Sequence, residues 1–144
     1  MLAKETQLPL QIRLLIMAEM ISHGIRVAVQ PTYRGKFKDN ASIVSAFSYA
    51  VTIENNSKNS VQLLSRFWLI KDSLHPIEIV EGDGVVGETP ILHPGTKYTY
   101  RSNTALRSGI GAMKGHYTLR NLDTNNLIKV GIPCFQLMST FNRN

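Results

Sequence analysis

Cysteine is almost missing from this chain. Cys134 stands alone among 144 residues, so no internal disulfide can form and the sequence suits a reducing, cytoplasmic compartment. Long apolar runs are missing too. Nothing reaches the roughly 18 consecutive apolar residues that a membrane-spanning helix requires, so no membrane partner is expected. His23, His75, His93 and His116 are scattered, and neither H-x-H nor C-x-x-C occurs. That removes the usual nitrogen and sulfur sites for zinc, and no cofactor is expected. No nucleophile stands at a recognisable spacing from a base, so no catalytic set presents itself. Acidic residues are nearly absent from the last third of the chain. Residues 89–144 carry Lys97, Arg101, Arg107, Lys114, Arg120, Lys129 and Arg143 against Asp123 alone, which accounts for the whole formal charge of +6. A one-sided positive field attracts phosphates or an acidic protein face, although scattered basic side chains also serve simply as a solvated surface.

What remains is ample for a folded core. An apolar fraction of 43% and the absence of low-complexity tracts indicate one globular domain. Residues 1–19 differ from the rest. Leu8–Ala18 is apolar but broken by Arg13, a poor signal peptide. They are read as an N-terminal extension that the core does not need, with Met20 a sensible alternative start, and residues 20–144 as the domain.

From Ile25 onward the period is two. Ile25, Val27 and Val29 alternate with Arg26 and Ala28, and Pro31 is expected to end that strand before a polar loop at Gly35–Asn40. Phe47, Tyr49, Val51 and Ile53 form a half-buried strand, and Val61–Ile70, apolar on both faces, a central one. Tyr98, Tyr100 and Ser102 continue the pattern. Residues 115–122 and 127–132 read as a hairpin around Asp123–Asn126. Pro133 places the last strand at a sheet edge or at a bend. Strands at this spacing predict an all-β fold, a two-sheet sandwich of immunoglobulin or fibronectin type III kind with about seven to nine strands. Trp68 suits the middle of its core.

The segment Val80–Gly95 contains G-x-G-x-x-G at Gly82, Gly84 and Gly87. Dinucleotide binding with that spacing needs a helix opening directly after the glycines, so that its amides and dipole hold the phosphates. Pro90 and Pro94-Gly95 forbid one here. The glycines are then either a tight, positive-φ connection between strands or an anion-binding nest of backbone amides. Glu81, Asp83 and Glu88 around the loop repel phosphate. As oxygen ligands they could hold a weakly bound hard cation such as Mg²⁺, with solvated loop acids the plainer reading. A phosphate is better served by the basic segment Arg101–Arg120, with Arg107, Lys114 and His116 as contacts. Arg66 shares a face with Trp68 and Leu64; with that face in the core, it is expected to be a structural arginine bound to carboxylates or carbonyls, with ligand contact the second reading.

Taken together, Val29–Tyr33, Phe47–Tyr49, Ile53–Asn55, Leu63–Trp68, Val80–Gly95, Tyr100–Ser102, Gly111–Tyr117 and Ile132–Leu137 resemble the ApaG family over residues 24–137. The combination of G-D-G-V-V-G, G-x-M-x-G-x-Y and I-P-x-F carries the likeness. The resemblance implies a fibronectin-type sandwich and a small cytoplasmic bacterial protein with no established enzymatic activity. It also implies a loose link to diadenosine tetraphosphate hydrolase genes and to cobalt and magnesium resistance, and a protein-binding role in eukaryotic relatives. Phe67 stands where the family often has histidine, Asn103 where it has glycine, and Thr89 where it has glutamine. A scheme that uses the histidine therefore fails here.

Two functions follow, with a third behind them. The first is a non-enzymatic interaction module that binds a protein partner, or a second copy of itself, through a strand edge or the glycine-loop end. The second is a phosphate-ligand or nucleotide-binding protein, with a nucleotide or pyrophosphate held at Gly82, Gly84 and Gly87 or at Arg107, Lys114 and His116. An enzyme acting on such nucleotides comes third, and a nucleic-acid partner is not expected.

Overall fold

The computed structural model describes residues 17–139, and all regular structure there is β. The strands are β1 (Ala18–Ser22), β2 (Ile25–Asp39), β3 (Ser42–Asn55), β4 (Val61–Asp72), β5 (Glu78–Asp83), β6 (Ile91–Leu92), β7 (Lys97–Leu106), β8 (Ile110–Asn121) and β9 (Leu127–Met138). Every pairing is antiparallel. One sheet runs β1-β2-β3-β7. The other runs β5-β4-β8-β9, with β6 on β4 beyond the end of β5. The all-β sandwich expected from the alternation is therefore the fold.

The core forms where the two inner faces meet. Ile25, Val27, Val29, Phe47, Val51 and Ile53 from one sheet bury against Leu63, Trp68, Tyr117, Leu119, Val130 and Phe135 from the other. Each fully buried side chain of this size contributes about 1.5–3 kcal/mol over an exposed one. Trp68 packs edge-on to Tyr49 (ring centroids 5.4 Å) and to Phe135 (6.0 Å), which places it in the centre as expected.

Three details differ from the expectation. Pro31 does not end β2, which runs on to Asp39, so the expected polar loop at Gly35–Asn40 is mostly strand. The two-residue turn His23-Gly24 makes Ser22 and Ile25 a hydrogen-bonded pair. Ile25, Val27, Val29 and position 31 therefore direct their backbone groups toward β1. Among the described residues β1 covers β2 as far as Val29, so the missing N–H of Pro31 interrupts no described ladder bond. Second, a bulge between Leu63 and Ser65 puts Leu63, rather than Leu64, in the core with Trp68. Third, Ala18 and Glu19, expected in the extension, belong to β1. Glu19 bonds Arg26 across the pair at 2.7 Å. Residues 1–16, with most of the apolar stretch Leu8–Ala18, lie outside the described residues. Pro133 does mark an edge strand: β9 ends its sheet and bulges opposite Met113–Gly115.

The sheets are joined along one side. The β9 residue Gly131 donates its amide to Ser22 Oγ at 3.2 Å. A Cβ at Gly131 would stand 2.6 Å from Met20 Sδ, so the flexible, partly exposed Met20 side chain would have to shift to admit one. On the opposite side β5 and β7 are both terminal strands, and a cleft opens between them.

Asn55 ties the end of the core to the turns beyond it. Fully buried, it donates from Nδ2 to the carbonyls of Asn59 (2.8 Å) and Leu92 (2.9 Å). Its Oδ1 accepts from Ser57 N (2.9 Å) and Ser57 Oγ (2.6 Å). Every polar atom of the side chain is thus used. Asn55→Asp keeps the shape but sets a carboxylate oxygen against two carbonyls, and should cost about 2–3 kcal/mol in urea unfolding. An unchanged midpoint would show that this node is dispensable.

Candidate functional site

The glycine segment lies along one side of β4, between β5 and β6. At Asp83 the chain leaves that edge and at Ile91 it rejoins it. Gly84 N–H donates to Leu64 O (2.7 Å) and Leu63 N–H to Pro90 O (3.0 Å). Between these anchors Val85 and Glu88 exchange both backbone hydrogen bonds (2.8 and 2.9 Å). The turn at Val86-Gly87 has φ of 42° and 81°, a type I′ hairpin.

Two of the glycines answer to this geometry. At Gly84 φ is 60°, and a Cβ would collide with the Glu88 carbonyl oxygen. At Gly82 a Cβ would meet the Arg66 guanidinium at 3.0–3.2 Å. The amides of Gly84, Val85 and Glu88 are committed to protein carbonyls, and the chain continues into β6 rather than a helix. The tight, positive-φ connection is the reading that the backbone supports.

Beside this loop is a cleft of about 310 Å³ between β4–β5 and β7, lined by Tyr49, Arg66, Val80, Val85, Tyr100 and Ser102 among others. Arg66 is half-buried. It lies against Gly82 and donates through Nη1 to the carbonyls of Asp83 (2.8 Å) and Gly84 (3.0 Å). This is the structural arginine expected, with carbonyls as its partners. Its Nε and Nη2 donors have no protein acceptor among the described residues.

Tyrosines form the deeper wall. Tyr100 and Tyr117 hydroxyls bond each other, and Tyr49 stands opposite Ser102 across the β3–β7 pair. Burial pushes all three phenols upward, most strongly at Tyr117 and Tyr100. They are therefore neutral hydrogen-bonding groups and not proton carriers at neutral pH.

The basic contacts expected for an anion are not gathered together. Arg107 stands in the turn between β7 and β8, where its amide donates to Asp72 Oδ2 at 2.6 Å. Desolvation pushes the Asp72 carboxyl up. Hydrogen bonds from the Ser108 hydroxyl and from the amides of Arg107 and Ser108 outweigh it and hold the group below its ordinary value.

Lys114 and His116 lie on the outer face of the second sheet, in a shallow groove of about 390 Å³ floored by Gly115 and Gly131. Gly82 is two strands from the β8 row that holds them. His116 stacks on its cross-strand neighbour Phe67, centroids 4.9 Å apart and planes 15° from parallel. Desolvation, then Lys129, lower its pKa against the opposing pull of Glu81. At neutral pH the ring is uncharged and a poor anion contact. Among the described residues no three His, Cys, Asp or Glu side chains gather as a metal site.

Sequence reasoning missed Val86. A β-branched residue at positive φ is strained, yet this one holds an apolar side chain 55% exposed on the cleft rim. Val86→Asn should relieve the strain and raise stability by about 1 kcal/mol, read from urea midpoints; a loss would mean that the side chain packs productively.

The buried tyrosines give a pH signature. Their folded values lie above the ordinary value of 10.0, so stability is complete below about pH 10 and falls above it, where unfolded phenols ionise first. The double replacement of Tyr100 and Tyr117 by Phe should flatten that alkaline decline; an equally steep fall would assign it elsewhere.

The comparisons bear on the whole of this architecture. The ApaG domain model matches residues 36–121. Protein ApaG of Mesorhizobium japonicum is 40% identical over 121 residues, 84% of this chain and 92% of that protein. Protein ApaG of Chromohalobacter salexigens is 35% identical over 121 residues, 84% of this chain and 94% of that one. A crystal structure of a Northeast Structural Genomics Consortium target superposes with a TM-score of 0.77 at 33% identity, covering 83% of this chain and 89% of that one. With the glycine loop, the tyrosine wall and the nine-strand sandwich in place, this chain belongs to the ApaG family.

Proposed function

We propose that this protein is a non-enzymatic interaction module that takes up an extended segment of a partner protein along the free edge of β5. One observation carries the reading: β5 ends its sheet, and among the described residues its outward backbone groups beside the cleft have no strand partner. The Gly84 amide faces β4. By the alternation of an antiparallel ladder, Gly82, Val80 and Glu78 face β4 as well, and Ile79 and Glu81 direct their N–H and C=O groups outward. An edge of this kind templates an added strand.

The surroundings fit such a partner. Ile77 and Ile79 are 58% and 59% exposed, and Leu74 and Val86 add apolar surface nearby. A strand added to β5 would direct alternate side chains over the cleft and the others outward, beside Ile79.

Peptides selected from a random displayed library supply the ligand for a test. Bound peptide should protect the Ile79 and Glu81 amides from hydrogen exchange. Glu81→Pro, which removes an outward donor and leaves the β4 ladder intact, should abolish binding while the fold is kept. Binders that ignore Glu81→Pro, or a failure to select any, would defeat this reading.

A second reading attaches to the outer groove. The Phe67–His116 stack offers a platform for a flat ring, with Lys114 beside it, and neither β8 nor β9 carries an acid. Nucleotide binding there would weaken steeply with salt, whereas strand addition would survive it.

A further inference from the structure

Resting on that edge reading, we infer that the segment taken up at β5 carries a carboxylate side chain, held by Arg66 at the loop end of the cleft. Arg66 reaches the free edge itself. Its side chain leaves the inner face of β4, crosses Gly82 and donates to the carbonyls of Asp83 and Gly84, where β5 gives way to the loop. These bonds use Nη1 and fix the plane of the group. The Nε and Nη2 donors remain, side by side in the geometry that matches the two oxygens of a carboxylate.

Charge and shape agree with that occupant. The acid on the cleft lining is Glu78, four register positions away at Ile70 while Arg66 pairs Gly82, about 13 Å along the strand. It does not neutralise Arg66. Glu81 and Asp83 alternate with Gly82 along β5 and point to the opposite face of the sheet. Around the guanidinium stand the Tyr49, Tyr100 and Ser102 side chains, neutral groups that add hydrogen bonding without repelling an anion. A strand added to β5 projects every second side chain over this cleft. The one that comes opposite Gly82 meets the guanidinium. An acidic residue at that position gains a paired, half-buried charge, and an apolar one there leaves two donors unmatched.

The selected peptides decide the matter. They should share an Asp or Glu at one position, and replacing that residue by Gln or Asn should weaken binding about 10- to 100-fold, the loss of a charge-assisted bidentate pair. Arg66→Gln should give a similar loss, and Arg66→Lys, which keeps the charge without the fork, a smaller one. The change on the peptide side needs no altered protein, so a poorly folded Arg66 variant does not obscure the answer. Peptides that lose binding on Glu81→Pro but are indifferent to the acid and to Arg66 would overturn this inference and leave the edge reading standing. Peptides indifferent to Glu81→Pro would overturn both.

Discussion

The two sheets pack face to face but close along one side only, and much of the rest follows from that constraint. On the closed side the Gly131 amide donates to Ser22 Oγ, joining β1 to β9. On the open side β5 and β7 end their sheets, each with a strand neighbour on one side only among the described residues. Solvent therefore reaches the inner face of β4 at Arg66, a position that would otherwise demand a fully paired buried charge. The same opening leaves room for the β5–β6 connection to swing out as a two-residue hairpin. Two of the three glycines answer to crowding at this edge, and Gly87 to its positive φ of 81°. Gly82 makes space for a guanidinium and Gly84 for a carbonyl.

This arrangement separates two meanings of one motif. In a dinucleotide fold, the glycines of G-x-G-x-x-G bring a backbone close to a phosphate at a helix start. Here they bring a backbone close to the protein's own groups, and the loop amides at Gly84, Val85 and Glu88 are bonded within the chain. Spacing alone does not distinguish the two. Pro90 does, because it forbids the helix. The acids at 81, 83 and 88 agree with it.

Most of the fold was legible in the residues. Alternation from Ile25 to Val29, from Phe47 to Ile53 and from Tyr98 to Ser102 reports half-buried strands directly, and Trp68 reports the core. What misled was local. Pro31 reads as a strand end because its effect depends on which side of β2 is covered, and that is fixed by where β1 stops. Leu64 reads as core because a bulge one residue away resets the face. The site was less legible. Arg66 is visible as an anomaly on an apolar face, but its free edge depends on a cleft made by strands distant in sequence. Val86 gives no signal, since V-G is not a favoured turn pair and its strain exists only in the folded hairpin. Arg107, Lys114 and His116 look like one basic segment along the chain, yet the fold sets Arg107 in the β7–β8 turn, away from the groove that Lys114 and His116 share, and His116 is held neutral.

The account rests on the claim that the glycine loop serves the fold and frames a protein-binding edge. Its most direct test is an amide-resolved NMR titration of the full chain with ATP and a dinucleoside tetraphosphate, with and without Mg²⁺. The amides of Gly82, Gly84 and Gly87 should show no saturable shift, because the loop amides of Gly84, Val85 and Glu88 are already bonded within the chain. Saturable shifts centred on those three glycines would contradict the account and make the loop a phosphate site.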